Sequence, residues 1–370
     1  MSCEQDVIGA NLTAKCPYCS STLSVPDEMR GRPAAVISHV NIDLRNTGFA
    51  RHATKIILLV ILIPVIGVII GAIAMGGFLV PLISRTATQP VSAPPLFPGK
   101  NVKEFSFAKE VMNFGSEGIG PGMFKDARSI AVDPSGTIYV AEYSGGRVQV
   151  FDKEGKFITQ WMVDAKMPLT AMAADRSGIV YIVQKGTISR HEGATGKLLG
   201  NLEYADGWGF EDLKATADGG LVASWYKNRD DIVRFDSQGN VTRTIRAAIS
   251  SVTDQSELNT DVAVDGLGNI YALGGFNNAV LKFSPDGKFL TRFGDAGDQP
   301  GQFRAASAIA VDGKGRVYVS DIKGIQVFDG NGRYLSVFDP EGASSGIVFN
   351  DNNELFIAAR TKVLKWVLKE

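Results

Sequence analysis

Apolar positions in the last two-thirds of the chain come in short runs separated by turns rich in Asp, Gly and Asn. The fullest example reads Ile130-Ala131-Val132, Asp133-Pro134-Ser135-Gly136, then Ile138-Tyr139-Val140 and Val148-Gln149-Val150-Phe151-Asp152. Gly155-Lys156 and Phe157-Ile158-Thr159-Gln160-Trp161 complete it. Runs of this length bounded by turn residues predict strands. The phrase returns as Ile309-Ala310-Val311-Asp312, Val317-Tyr318-Val319, Ile325-Gln326-Val327-Phe328-Asp329 and Gly332-Arg333-Tyr334. A period of roughly 40 to 47 residues built from short strands is the mark of a propeller blade.

Second-strand phrases end near Tyr139, Tyr181, Val222, Tyr271, Tyr318 and Phe356, which predicts six blades. Gly-led phrases at Gly155, Gly196, Gly239, Gly287 and Gly332 open the strand that finishes each blade. After Val363-Leu364-Lys365-Trp366 the sixth blade lacks such a strand. The phrase Gly99-Lys100-Asn101-Val102-Lys103-Glu104-Phe105 is expected to supply it from upstream. Closure of this kind protects an otherwise unpaired edge. The prediction is an all-β, six-bladed propeller over 99–370, closed by an N-terminal strand.

Asp133, Asp175, Asp265 and Asp312 recur at blade spacing, and Thr216 and Asn350 take their place in two blades. Asp and Gly at such turns predict backbone capping rather than a ring of metal ligands.

The phrases resemble NHL repeats, most closely around Pro121-Gly122-Met123-Phe124 with Ile130-Ala131-Val132-Asp133, and Pro300-Gly301-Gln302-Phe303 with Ile309-Ala310-Val311-Asp312. The proline that usually follows the Phe is replaced at Ala127 and Ala306. The name-giving Asn-His-Arg is reduced to Gly145-Gly146-Arg147 and Asn277-Asn278-Ala279. The resemblance implies a recognition platform, with RNA-binding members and metal-dependent lyase and hydrolase relatives.

Charge decides among those. From Asn101 onward the chain carries 30 Lys and Arg against 34 Asp and Glu, with no cationic cluster, so nucleic acid is not an expected partner. The lyase-type site that the resemblance implies needs several histidines, and the propeller holds only His191. Calcium held by carboxylates in the ring stays open as a cofactor, and with it a metal-dependent lyase or hydrolase.

Residues 56–84 carry no charge, lie between Lys55 and Arg85, and are rich in Ile, Leu, Val and Gly. As a helix this run would reach about 40 Å, more than the roughly 30 Å hydrocarbon core, which predicts a single-pass membrane anchor. Arg45, Arg51 and Lys55 precede it and only Arg85 closely follows, so the N-terminus is expected in the cytoplasm and the ring outside. The cysteines agree: Cys3, Cys16 and Cys19 all precede the anchor. Residues 85–98 are Pro-rich and predict a stalk; 31–55 form a basic juxtamembrane segment.

Within 1–30, Cys16-Pro17-Tyr18-Cys19 resembles half a zinc ribbon, with Cys3 upstream and Asp6 at the fourth ligand's place. Zinc, a decayed ribbon and free thiols are the alternative readings, and a zinc-bearing head acting as a cytosolic adaptor goes with the first.

Strand alternation puts the loops between second and third strands on one face of a propeller, opposite the Asp turns. That face collects Tyr143, Arg147, Trp225, Tyr226, Arg229, Phe276, Asn277 and Lys323, with Trp208 and Phe210 from a longer loop. Aromatics among polar groups suit recognition of a protein, peptide or glycan, and inter-blade packing is the competing role for each of them.

Overall fold

The computed structural model describes residues 13–15, 22–24, 107–227 and 229–369. The expected membrane anchor, juxtamembrane segment and stalk, and the three cysteines with Asp6, all lie outside those residues. No helix among the described residues is long and apolar enough to cross a membrane. In the N-terminal unit, Thr13–Lys15 pairs antiparallel with Thr22–Ser24.

The second unit is a ring of six four-stranded antiparallel sheets. Blade 1 runs Ala127–Val132, Ile138–Glu142, Arg147–Phe151, Phe157–Met162 from axis to rim, and the next four blades repeat this order. Blade 6 takes Gly346–Phe349, Glu354–Ala359 and Lys362–Leu368 from the C-terminal end of the chain. Its outer strand is Ala108–Phe114, paired from Val363↔Phe114 to Leu368↔Ala108. Closure by an upstream strand is therefore present, but the strand begins downstream of the Gly99–Phe105 phrase expected to supply it. The alternation of Met112 and Phe114 inward with exposed Lys109 and Val111 outward fits the ladder, and Met112 and Phe114 pack against the core between blades 6 and 1.

The core is six clusters, one at each blade junction, rather than one central mass. Ala131, Tyr139, Val148 and Trp161 of blade 1 meet Leu169, Met172 and Ile182 of blade 2. Phe124, Ile138 and Phe151 meet Phe356 and Val363 across the closure. In blades 1 and 5 the second and third strands are buried on both faces, which explains their nearly continuous apolar runs.

The Gly-led phrases have two reasons at once. Gly155 adopts φ +79°, and a Cβ there would stand 2.6 Å from a ring carbon of Phe114 on the preceding blade's outer strand. Gly332 sits in the same way against Phe293. In blades 1, 2 and 5 the turn glycine thus seats the rim aromatic of the blade before it, Phe114, Trp161 or Phe293.

The Asp turns are structural, as expected. In each, Oδ1 accepts the amides two and four residues on: Ser135 and Thr137 for Asp133, Lys314 and Arg316 for Asp312. The second oxygen accepts a buried tyrosine hydroxyl six residues on, Tyr139, Tyr181, Tyr271 or Tyr318. The two blades without Asp have Val222 and Phe356 in place of the tyrosine. Burial, then the adjacent Asp charge, pushes the Tyr181 hydroxyl up to about 12 and raises the other three as well.

Candidate functional site

Both tight turns of a blade, inner-to-second and third-to-outer, lie on one face, which we call the turn face. The loop face opposite carries the connections with side chains to spare. On it, the sequence-predicted residues separate into two groups.

Five are engaged by the fold. Arg147, 8% exposed, pairs with Glu142 at 2.7 Å and donates to the carbonyl oxygens of Ile119 and Met123, while Gln149 grips Met123 O and Gly122 N–H. Lys323 does the same in blade 5, donating to Gly297 O and Gln302 O beside Gln326. Each clamp holds a Pro-Gly-x-Phe loop whose Phe, Phe124 or Phe303, is fully buried. Trp225 is 3% exposed and packs on Tyr204 and Phe210 in the core between blades 2 and 3. Arg229 bridges Asp206 and Asp231, each at 3.0 Å. The Asn277 side chain and backbone amide both donate to Glu257, whose buried carboxylate also receives the amides of Leu258, Asn259 and Phe276.

The other three present surface. Phe276 is 65% exposed on blade 4. Tyr226, 38% exposed, and Tyr143 share a 630 Å³ groove over blades 1 to 3 with Trp208, 52% exposed. Met167, Pro168 and Thr170 line the groove, Lys185 stands at it, and Phe210 and Glu211 form its inner part. Its size lies within the range of ligand sites. Arg128 stacks 4.2 Å over the Tyr143 ring, and Lys227 lies 4.3 Å over Trp208.

Glu211 joins the site without standing among the residues that the repeat pattern places on the loop face. It comes to the groove because the inner strands of blades 1, 2 and 3 each carry one extra residue near their start, between Ala127 and Ser129, Leu169 and Ala171, and Phe210 and Leu213. Such bulges re-aim side chains, here at Arg128, Thr170 and the Glu211-Asp212 pair. The signal was an interrupted alternation: Ala-Arg-Ser-Ile, Leu-Thr-Ala-Met and Phe-Glu-Asp-Leu put a polar residue where the strand turns inward. Burial, with the charges of Asp212 and Glu257 adding, pushes the Glu211 carboxyl up to about 7.

Deeper along the axis, Lys214 Nζ bonds both oxygens of Asp212 at 2.9 Å, and Asp212 also accepts the Val262 amide. Asp261 faces this pair, and burial with the Asp212 charge raises its carboxyl well above the ordinary range. Among the described residues no three His, Cys, Asp or Glu side chains converge as a metal-binding group. Lys214 and a backbone amide occupy Asp212, so this carboxylate is not free to ligate a divalent ion of the kind a lyase-type propeller would hold.

The NHL repeat family model matches residues 124–151, a stretch that begins at the buried Phe124 ending the clamped loop and covers the first three strands of blade 1. Protein lin-41 of Caenorhabditis elegans is 40% identical over 62 residues, covering 17% of this chain and 5% of that protein. Human NHL repeat-containing protein 3 is 30% identical over 141 residues, covering 34% of this chain and 41% of that one. The chain thus spans less than half the length of these curated relatives. Among solved structures, a gluconolactonase from Xanthomonas campestris superposes with a TM-score of 0.52 at 16% identity, over 70% of this chain and 98% of that one. A streptogramin B lyase gives 0.50 at 13% identity, over 71% and 99%. These likenesses agree on the propeller fold.

Proposed function

We propose that this NHL-repeat propeller is a binding or scaffold module, tethered to a membrane with its N-terminus in the cytoplasm, that recognises a protein, peptide or glycan outside the cell. The observation that carries the binding role is the groove over blades 1 to 3. It leaves Trp208 52% and Tyr226 38% exposed in one groove, on a face where Arg147, Arg229, Asn277 and Lys323 are engaged by the fold. A monomeric surface rarely spends large aromatics this way without a partner. Tether and orientation rest on the uncharged run 56–84 and its flanking cations.

The test is capture of envelope components by the intact chain, comparing Trp208→Ala with Tyr226→Ala against Leu267→Ala on the turn face. Loss of the same captured species in the first pair alone supports the groove; equal capture by all three refutes it. Protease access to a C-terminal tag on intact cells tests the orientation: digestion from outside is expected, and digestion only after lysis overturns it.

A further inference from the structure

Glu211 is poorly served by its own protein. Among the described residues its carboxylate receives one hydrogen bond, from the Thr260 amide at 3.3 Å, where an ionised carboxyl can accept about four. The groups around it make the deficit worse. Asp212 follows it on the same bulge, and Glu257 and Asp261 approach from blade 4. The cation beside them, Lys214, is held by both oxygens of Asp212. The cations of the groove are engaged elsewhere: Lys185 with Asp164 at 2.7 Å, Arg128 with Asp126 and the Tyr143 ring, Lys227 over Trp208. The inner part of an aromatic groove therefore carries an acid with no counter-ion.

We propose that the groove takes a basic side chain, lysine or arginine, from a polypeptide partner, its alkyl stem against Tyr226 and Trp208 and its charged head on Glu211. This rests on the groove being the binding site, as proposed above. The chemistry is complementary at each end. Long basic side chains lay their methylenes on apolar surface while their heads seek acceptors, and a cation among aromatic rings is held the more firmly when water is displaced. A glycan would find the aromatic floor but bring no counter-ion to the acid, and an acidic peptide would meet Glu211, Asp212 and Glu257 with like charge.

The proposal has a pH signature. With its carboxyl raised to about 7, Glu211 is half protonated near neutrality. A bound cation favours the ionised form, so binding releases a proton to solvent below that point. Affinity for a basic peptide should rise as pH climbs through about 7 and level off above it.

The experiment uses the full chain in non-ionic detergent and two pentapeptides, acetyl-Gly-Gly-Arg-Gly-Gly-amide and the same sequence with citrulline for arginine. Citrulline keeps the shape and loses the charge. Binding is read from tryptophan emission, since Trp208 is the exposed tryptophan of the four, with Trp208→Phe as the control for the signal. At pH 8 the arginine peptide is expected to bind about tenfold more tightly than the citrulline peptide, as for a desolvated charged contact. At pH 6 the ratio should shrink towards unity. Glu211→Gln, which preserves shape and the bond from Thr260, should abolish the preference at both pH values. Equal binding of the two peptides would overturn the cation assignment while leaving the groove as the site. A preference that survives in Glu211→Gln would also overturn it. Silence from both peptides, with wild-type emission intact, would remove the groove and the cation together.

Discussion

The two faces of the ring are built from the same strands, yet they spend their polar groups differently. On the turn face, each Asp is used up locally: two amides on one oxygen and, in four blades, a tyrosine hydroxyl on the other. On the loop face, the clamps around Arg147 and Lys323 are equally self-absorbed, but between them lies a stretch where Trp208, Tyr226 and Glu211 have little to do for the fold. Recognition surface is what remains after structural demand has been met, and it is found by asking which polar groups are left unpaid.

That contrast can be broken first at its exception. Arg147→Ala should destabilise the ring by about 3–5 kcal/mol, because it strands buried Glu142 and frees the loop around Met123. Urea unfolding of the variant would reveal it; a loss below about 1 kcal/mol would mean the clamp is not needed by the fold. On the turn face, Asp312→Ala removes the acceptor of Lys314, Arg316 and Tyr318 and should cost about 2–3 kcal/mol, whereas Thr216→Ala at the equivalent position of blade 3 should cost less than half that. Equal losses at the two positions would argue against Asp as the turn's organiser.

Tyr318→Phe should cost about 1 kcal/mol. The tyrosines also predict an alkaline limit. Their folded hydroxyls titrate above the unfolded value near 10, with Tyr181 at about 12. Their contribution is therefore complete below about pH 10 and lost as pH rises towards 12, where the unfolded chain has given up protons that the folded ring retains. The urea midpoint should fall over that window, and fall less in Tyr181→Phe. The smallest effect on stability belongs to the groove. Trp208→Ala and Tyr226→Ala should stay within about 0.5 kcal/mol of wild type while ligand capture is lost. A larger destabilisation would return both rings to the fold.

The repeat was legible because its periodicity follows directly from blade packing. The Asp turns and the apolar middle strands leave a clear residue pattern, whereas the Gly-led phrase at Gly99 pointed upstream of the closing strand Ala108–Phe114. Even the absence of tyrosine from blades 3 and 6 could be read, since it accompanies the loss of Asp at Thr216 and Asn350. The loop face was harder, because an aromatic or cation placed there looks the same whether it points into the ring or away from it. Trp225 and Tyr226 are adjacent in sequence and on opposite sides of that divide, for Trp225 ends a strand buried on both faces and Tyr226 lies just past it. Arg147 and Lys323 were misleading in another way: their targets are backbone carbonyls more than twenty residues upstream, which leave no mark in the sequence. Glu211 escaped notice because its position depends on a bulge that no glycine announces.

The closing strand also has a mechanical meaning. Ala108 lies opposite Leu368, and the Lys369 amide reaches Phe107 O just beyond it, so tension transmitted down the preceding chain enters the ring at the outer end of a single ladder. A steady pull there would peel one strand, pair by pair, before loading any other blade. When Phe114 left its seat on Gly155, the junction with blade 1 would lose its rim contact as well. The seam that completes the circle is thus the place where a tug would open it.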